Sequence, residues 1–196
     1  MTLSICGYLK ISEISKNTRY LNVLTLVYNP ILFKNIYLGA NRVFIKYSLQ
    51  KSSNNFLKDY VPVFLPLFRN VYQDNAEAID QILSGFIKIL FPKENSELYF
   101  EYGWNDGFSN LRDLLLDNSH SAASVFGFQK KFKITSEKII FIGFETTQLS
   151  QTPSYLQRDA GNWYVHGQVK EGYTNENQIL GAGSGYGNNI QSFYLG

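Results

Sequence analysis

Asn162–Gln191 reads NWYVHGQVKEGYTNENQILGAGSGYGNNIQ, and its first part divides polar from apolar side chains with a period of two. On an extended chain Trp163, Val165 and Val169 fall on one side and Tyr164, His166, Gln168 and Lys170 on the other, because consecutive side chains of a β-strand point to opposite faces. Such a strand has one oily face and one wet face. In a soluble sandwich the wet face is the outside, whereas in a transmembrane barrel it lines the lumen and the oily face meets lipid.

The same division is plainest at Leu98–Trp104, where Leu98, Phe100, Tyr102 and Trp104 oppose Glu97, Tyr99, Glu101, Gly103 and Asn105. Between Lys138 and Gln148, Ile139 and Phe141 share a face with Glu145, while Ile140, Ile142 and Phe144 fill the other. Alternation bounded by polar or glycine-containing turns predicts strands near 20–28, 35–47, 97–105, 121–133, 137–149, 162–171 and 189–195. Most reach the roughly 9 to 11 residues with which a tilted strand crosses a bilayer. Aromatic residues gather where strands begin or end, at Tyr28, Phe33, Trp104, Phe108, Trp163, Tyr173 and Phe193, as in interfacial girdles.

One segment departs from the pattern. From Asn75 to Leu90, the residues Ala78, Ile79, Ile82, Leu83, Phe86, Ile87 and Leu90 recur at helical spacing and Pro92 follows, which predicts an amphipathic helical insertion over 75–91. A second short helix is expected within Asn110–Leu116. With no fixed-period repeat, low-complexity tract or shift of composition, residues 1–196 read as one unit. The expected fold class is all-β, mainly antiparallel, with one or two short helices, as part of a transmembrane β-barrel.

Aromatic residues make up 16% of the chain against 17% charged residues, a balance that suits sheets with aromatic-rich surfaces. The formal charge of +2 is spread along the sequence, so no basic tract is present to neutralise a run of phosphates, and no nucleic-acid partner is expected. Cys6 is the single cysteine and cannot form an internal disulfide; no CxxC pair or cysteine and histidine cluster exists, so no metal and no cofactor is expected. Met1–Lys16 lacks a basic stretch ahead of its apolar residues, and no secretory leader is expected in it. No run approaches the roughly 20 apolar residues of a spanning helix, which leaves a barrel as the way to cross a membrane.

Glu101 and Asp106, with Asp113 or Asp117 as substitutes, could form the carboxylate pair of a glycoside hydrolase; alternatively they hold water, counter-ions or sugar hydroxyls. His120 and His166 stand in no spacing that suggests a metal site or a nucleophile with its base, and are expected to be hydrogen-bonding wall residues. Ser124 and Ser184 lack the GxSxG elbow, and the glycines at 181, 183, 185 and 187 fit neither the P-loop nor the GxGxxG pattern. What remains is a surface of stacking rings with donors and acceptors, supplied by Tyr164, His166, Gln168, Tyr173, Gln178, Asn188, Asn189 and Gln191, which suits a sugar.

The passages YNPILFKNIYLGANRVF, ELYFEYGWND, HSAASVFGFQKKF and WYVHGQVKEGYTNENQILGAGSGYGNNIQ, in this order, resemble the Wzi family of outer-membrane capsule assembly proteins over most of residues 20 to 196. The last passage carries the most specific likeness, to the family's WYxH, GYT, GQxLGA and GxGxNSQ elements. The chain departs from them at Asn175 and Asn177, where histidine and glycine are frequent, at Tyr186, where proline is frequent, and at Asn189 and Ile190, which replace an Asn-Ser step. The resemblance implies a barrel of about eighteen antiparallel strands with helical additions. It also implies a non-enzymatic, lectin-like role in assembling or attaching capsular polysaccharide at the outer membrane. By it, Glu101, Gly103, Asp106, Trp163, Tyr164, His166, Gly172, Tyr173, Gln178, Gly181, Gly185 and Gln191 fall on motif positions.

The expected polysaccharide-binding residues are accordingly Glu101, Asp106, Tyr164, His166, Tyr173, Gln178, Asn188 and Gln191, with none catalytic. Expected partners are capsular or other surface polysaccharide, outer-membrane lipid, and further barrel strands from adjacent sequence, since the chain reads as a fragment of a larger barrel lacking both ends. Two other classes share parts of the pattern: a porin-like channel, and a soluble β-sandwich enzyme that acts on glycans through Glu101 and Asp106.

Overall fold

The computed structural model describes residues 2–4, 8–11, 18–47, 79–105, 115–116, 119, 121–135, 137–150, 161–165, 171–176 and 178–196. These residues build an all-β, antiparallel structure. Its strands are β1 (Thr2–Ser4), β2 (Tyr8–Ile11), β3 (Arg19–Tyr28), β4 (Ile36–Tyr47), β5 (Ile79–Phe91), β6 (Ser96–Asn105), β7 (Ala122–Lys133), β8 (Ile139–Gln148), β9 (Thr174–Asn175), β10 (Gln178–Ile179) and β11 (Asn189–Leu195). From β3 through β8 each strand pairs with the next, β11 adds to β8, and β1 and β2 lie end to end along the free edge of β3. The result is a nine-stranded meander; β9 and β10 form a separate hairpin. Among the described residues the sheet is open, with β1 and β2 on one edge and β11 on the other.

Two sequence expectations are corrected here. The helix expected over 75–91 is a strand from Ile79 to Phe91, paired with β4 on one side and β6 on the other. Three of its four polar residues, Asp80, Ser84 and Lys88, recur every fourth position, a spacing that satisfies a period of two as well as a helical period, and Gln81 falls on the other face. Ile82 and Phe86 lie on the same face as those three, Ile82 in the core and Phe86 against Gly39, and this pairing of oil with polar residues imitated a helical stripe. Gly85 mid-segment and four isoleucines favour the strand. The strand expected over 162–171 is likewise absent where the chain is described: Trp163 and Tyr164 form a turn, closed by Val165 N–H donating to Asn162 O, and 166–170 lie outside the described residues. Of the second expected helix only Leu115 and Leu116 are described, and both are helical.

The register sorts side chains into two continuous faces. Across one face run the rows Leu38, Ile87, Phe100, Phe126, Thr146 and Ile36, Ile89, Leu98, Phe128, Phe144, Phe193. A third row joins Leu26, Ala40, Gly85, Tyr102 and Ser124. Phe100, Tyr102 and Trp104 pack down one strand of this face, with Phe100 and Tyr102 stacked and Tyr102 and Trp104 edge to face at 5.0 Å. Across the opposite face run Tyr37, Lys88, Tyr99, Gly127, Glu145, Ser192 and Thr25, Asn41, Ser84, Gly103, Ala123.

Toward the short turns the apolar face is exposed, whereas at the opposite end of the strands the same face is buried and holds Tyr20, Asn22, Arg42, Phe44, Lys46 and Gln81. Phe100 is 40% exposed and Phe126 38%, with Leu26, Leu38, Phe144 and Phe193 exposed beside them. The middle of the polar face is covered by the chain, with Trp163, Tyr164, Tyr173, Ile179 and Ala182 packed against it. Where they meet the sheet the polar face turns apolar: Leu21, Ile45, Ile82 and Ala123 form the core with Leu149, Trp163, Tyr164 and Tyr173. Burying these rings stabilises the fold by roughly 1.5–3 kcal/mol for each large side chain.

Candidate functional site

Below the core, toward the short turns, the covered face opens into a cavity of about 460 Å³. Three elements make its walls. Strands β4 to β8 supply Asn41, Ser84, Tyr99, Glu101, Val125, Glu145 and Thr147; the turn at Trp163 supplies its ring and that of Tyr164; the segment from Tyr173 to Ala182 closes the side.

Each carboxylate in the cavity is held by uncharged donors. Ser84 Oγ–H donates to Glu101 Oε1, and Asn41 Nδ2–H reaches the same oxygen at 3.2 Å. Asn41 is itself oriented by Thr25 Oγ1–H, which donates to Asn41 Oδ1 at 2.9 Å. The chain Thr25, Asn41, Ser84 and Glu101 thus crosses four strands and fixes where the Glu101 oxygens stand. Two rows away, the Tyr99 hydroxyl donates to Glu145 Oε2. It reaches across because Gly127 lies between them in the row: a Cβ built there would meet the Tyr99 ring at 2.1 Å. Gly127→Ala should therefore displace Tyr99, break its bond to Glu145 and cost about 1–3 kcal/mol as overpacking. Chemical denaturation of the two forms checks this, and an unchanged midpoint would contradict it.

The aromatic wall is locked from both ends. Trp163 is 4% exposed; its Nε1–H donates to Ser121 O at 3.1 Å, and its ring lies over Gly103, where a Cβ would come within 3.1 Å. Asn105 Nδ2–H spans Gly161 O and Asn162 O at 3.4 and 3.3 Å, tying the turn to the end of β6. Tyr164 sits edge to face with both Trp163 and Tyr173. Its backbone is left-handed, φ 67°, a conformation that costs a bulky residue on the order of 1–3 kcal/mol and persists only when its surroundings over-determine it. They do: Tyr173 N–H donates to Tyr164 O at 3.2 Å, and Ala182 N–H donates to the Tyr164 hydroxyl at 3.0 Å. Gly172, φ 54°, passes so near that a Cβ would lie 2.0 Å from Tyr164 O. Gly181 leaves room for the Tyr164 ring, which a Cβ would meet at 2.4 Å. Burial pushes the Tyr164 phenol above the ordinary tyrosine value, so it stays protonated at neutral pH. From the far side Arg19 donates to Gly172 O, to Thr174 O at 2.9 Å and to Thr174 Oγ1 at 3.3 Å, pinning this segment to β3.

Of the residues expected from sequence, Glu101, Tyr164 and Tyr173 meet at this cavity. Tyr164 and Trp163 do not divide between opposite faces of a strand; both rings are buried on the same side of the sheet. Trp163 and Tyr173, read as girdle aromatics, are core residues instead. Gln178 is exposed in β10, and Asn188 is exposed with its Nδ2–H on Ser184 O, so neither lines the cavity. Gln191 pairs with Thr146 on the apolar face, the face opposite Glu101. Asp106 and His166 lie outside the described residues, as do Asp113, Asp117, His120 and Gln168. Asn189, expected among the sugar contacts, instead ties the end of β8, accepting from Leu149 N–H and Ser150 N–H at 3.0 Å each.

Sequence reasoning missed Asn41, Ser84, Tyr99 and Glu145. Tyr99 shared a face with Glu101 in the alternation, and Glu145 is the lone charge in an otherwise uncharged strand, a signal that marks a special environment. Asn41 and Ser84 join the site through register alone. Among the described residues no group of three or more His, Cys, Asp or Glu side chains converges as metal ligands.

No family model, no curated protein and no solved structure matches this chain.

Proposed function

We propose that this chain is a segment of an outer-membrane β-barrel that holds polysaccharide against the polar side of its sheet, without catalysis, in capsule assembly or surface attachment. The observation that carries the reading is the inversion of the sheet. Over the half of the sheet nearer the short turns, a contiguous apolar surface is left exposed while the chain packs against the middle of the opposite, more polar face; that exposed half fits lipid as its neighbour rather than water. No helix among the described residues is long and apolar enough to cross a membrane, so crossing falls to strands; β3 to β8 run from 10 to 13 residues, enough to span.

The sugar part of the reading rests on the cavity and on the resemblance to the Wzi family. A volume of about 460 Å³ falls within the common range of ligand pockets, and rings of Trp163, Tyr164 and Tyr173 beside the carboxylates of Glu101 and Glu145 suit a ring of alternating apolar faces and hydroxyls. A channel would need an open path along the polar face, and the Trp163 turn and the Tyr173 segment are packed across it.

The test is polysaccharide binding by the chain joined to the strands that complete its barrel, in lipid vesicles, because the open edges of the segment alone would leave backbone groups unpaired in lipid. Glu101→Gln keeps the side-chain shape and removes the charge; the loss of one charge-assisted hydrogen bond, about 1.5–3 kcal/mol, should weaken binding at least tenfold. Unchanged binding by this variant would remove Glu101 from the site, and failure of the completed barrel to enter vesicles would end the barrel reading.

A further inference from the structure

We infer that the turn-bearing rim of the sheet is a docking surface for anionic phospholipid headgroups, formed by a collar of lysines; the inference rests on the lipid-facing reading above. The meander brings the turns 29–35, 92–95 and 134–138 to one end of the sheet, and the strand ends Tyr47, Ile79, Asn105, Ala122, Gln148 and Asn189, which longer stretches of sequence join, to the other. Lys34, Lys93, Lys130, Lys131, Lys133 and Lys138 all stand at the turn end. The carboxylate side chains there are Glu94 and Glu137, exposed in turns, and Glu97, which is already held by Lys88 at 2.8 Å. Positive charge is therefore in clear excess at this rim.

Lys130 continues directly from the apolar face, while Lys131 and Lys133 alternate to the other face at the same rim. Lys130 shares its row with Phe91, Ser96, Ile142 and Leu195, and its ammonium lies 5.1 Å from the ring centroid of Phe132, which is exposed beside it. A second cavity, about 400 Å³, opens over the strand ends with Phe91, Pro92 and Phe141 as apolar walls, Lys130 and Lys131 as cations, and Glu97, whose charge Lys88 neutralises, as its carboxylate. An apolar belt that ends in long, flexible ammonium stems matches acyl chains that end in phosphodiesters, because each stem lies along the hydrocarbon boundary while its head reaches the phosphate level. Lysine, a point charge, suits a diffuse anionic surface better than an oriented ligand. Short turns on one side and longer connections on the other also follow the asymmetry of outer-membrane barrels, and this places the collar at the phospholipid leaflet on the side of the short turns.

The experiment is flotation of the full chain with phosphatidylcholine vesicles made with and without phosphatidylglycerol, at low and high salt. A lysine near an anionic surface strengthens attachment roughly fivefold, so the wild-type chain should favour the anionic vesicles by at least about tenfold, with the preference falling as salt rises. The quadruple variant Lys130→Gln, Lys131→Gln, Lys133→Gln, Lys138→Gln should lose most of the preference, and the same four positions changed to arginine should keep it. Equal attachment to both vesicles, or a full preference retained by the glutamine variant, would overturn the collar while leaving the lipid-facing sheet standing. Attachment to neither vesicle would overturn both.

Discussion

Phe100→Arg is expected to destabilise the chain folded in vesicles by about 2–4 kcal/mol, the cost of a cation on the lipid face of a barrel near the midplane. Phe100 lies in the middle of β6, in the row formed by Leu38, Ile87, Phe126 and Thr146, with exposed rings and aliphatic chains to either side and no acidic partner in that row. In water the same substitution on a 40% exposed side chain would cost little and would raise solubility. The environment, rather than the fold, therefore sets the sign of the result. Denaturant titration in vesicles, followed by tryptophan fluorescence, measures it; a change below about 0.5 kcal/mol would mean that this face does not meet lipid.

Trp163→Ala should cost about 3–5 kcal/mol, as for other buried large-to-small aromatic changes. The ring is 4% exposed, packs edge to face on Tyr164, and lies over Gly103, which has no side chain to extend into the space the ring would leave. Trp163→Phe keeps most of the ring and loses the Nε1–H bond to Ser121 O, whose carbonyl still accepts from Asn105 N–H at 2.9 Å; about 1 kcal/mol is expected. Because Tyr164 and Tyr173 lean on this ring in sequence, the alanine variant should also open the cavity wall and weaken any ligand held there. Equal costs for the alanine and phenylalanine variants, read from denaturant midpoints, would show that packing of the ring is not what secures the turn.

How far the fold could be read in advance differs strand by strand. In β6 the division of Leu98, Phe100, Tyr102 and Trp104 from Glu97, Tyr99, Glu101, Gly103 and Asn105 stands as written, because every second residue obeys one face. β8 behaves alike, with Glu145 on the face opposite Phe144. β5 was misread because three of its four polar residues fall four apart and its polar face carries Ile82 and Phe86, so a strand packed against a core and over Gly39 counterfeits a helix. The Trp163 turn was misread for a different reason: the local alternation is genuine, but a left-handed Tyr164 rotates its ring to the same side as that of Trp163. The site follows the same division. Glu101, Tyr164 and Tyr173 could be named from their chemistry, whereas Asn41, Ser84 and Glu145 join them only through pairing across β4 to β8.

Most of the strands and their two chemically distinct sides were legible residue by residue, since alternation with period two is a local property that each strand carries alone. Where the aromatic segment packs onto the sheet depends instead on residues far apart along the chain meeting: Arg19 donating to Gly172 and Thr174, Trp163 on Ser121, and Tyr164 held by Ala182. The register that carries a hydrogen-bonded path from Thr25 through Asn41 and Ser84 to Glu101 is likewise a fact of pairing, invisible to any one strand.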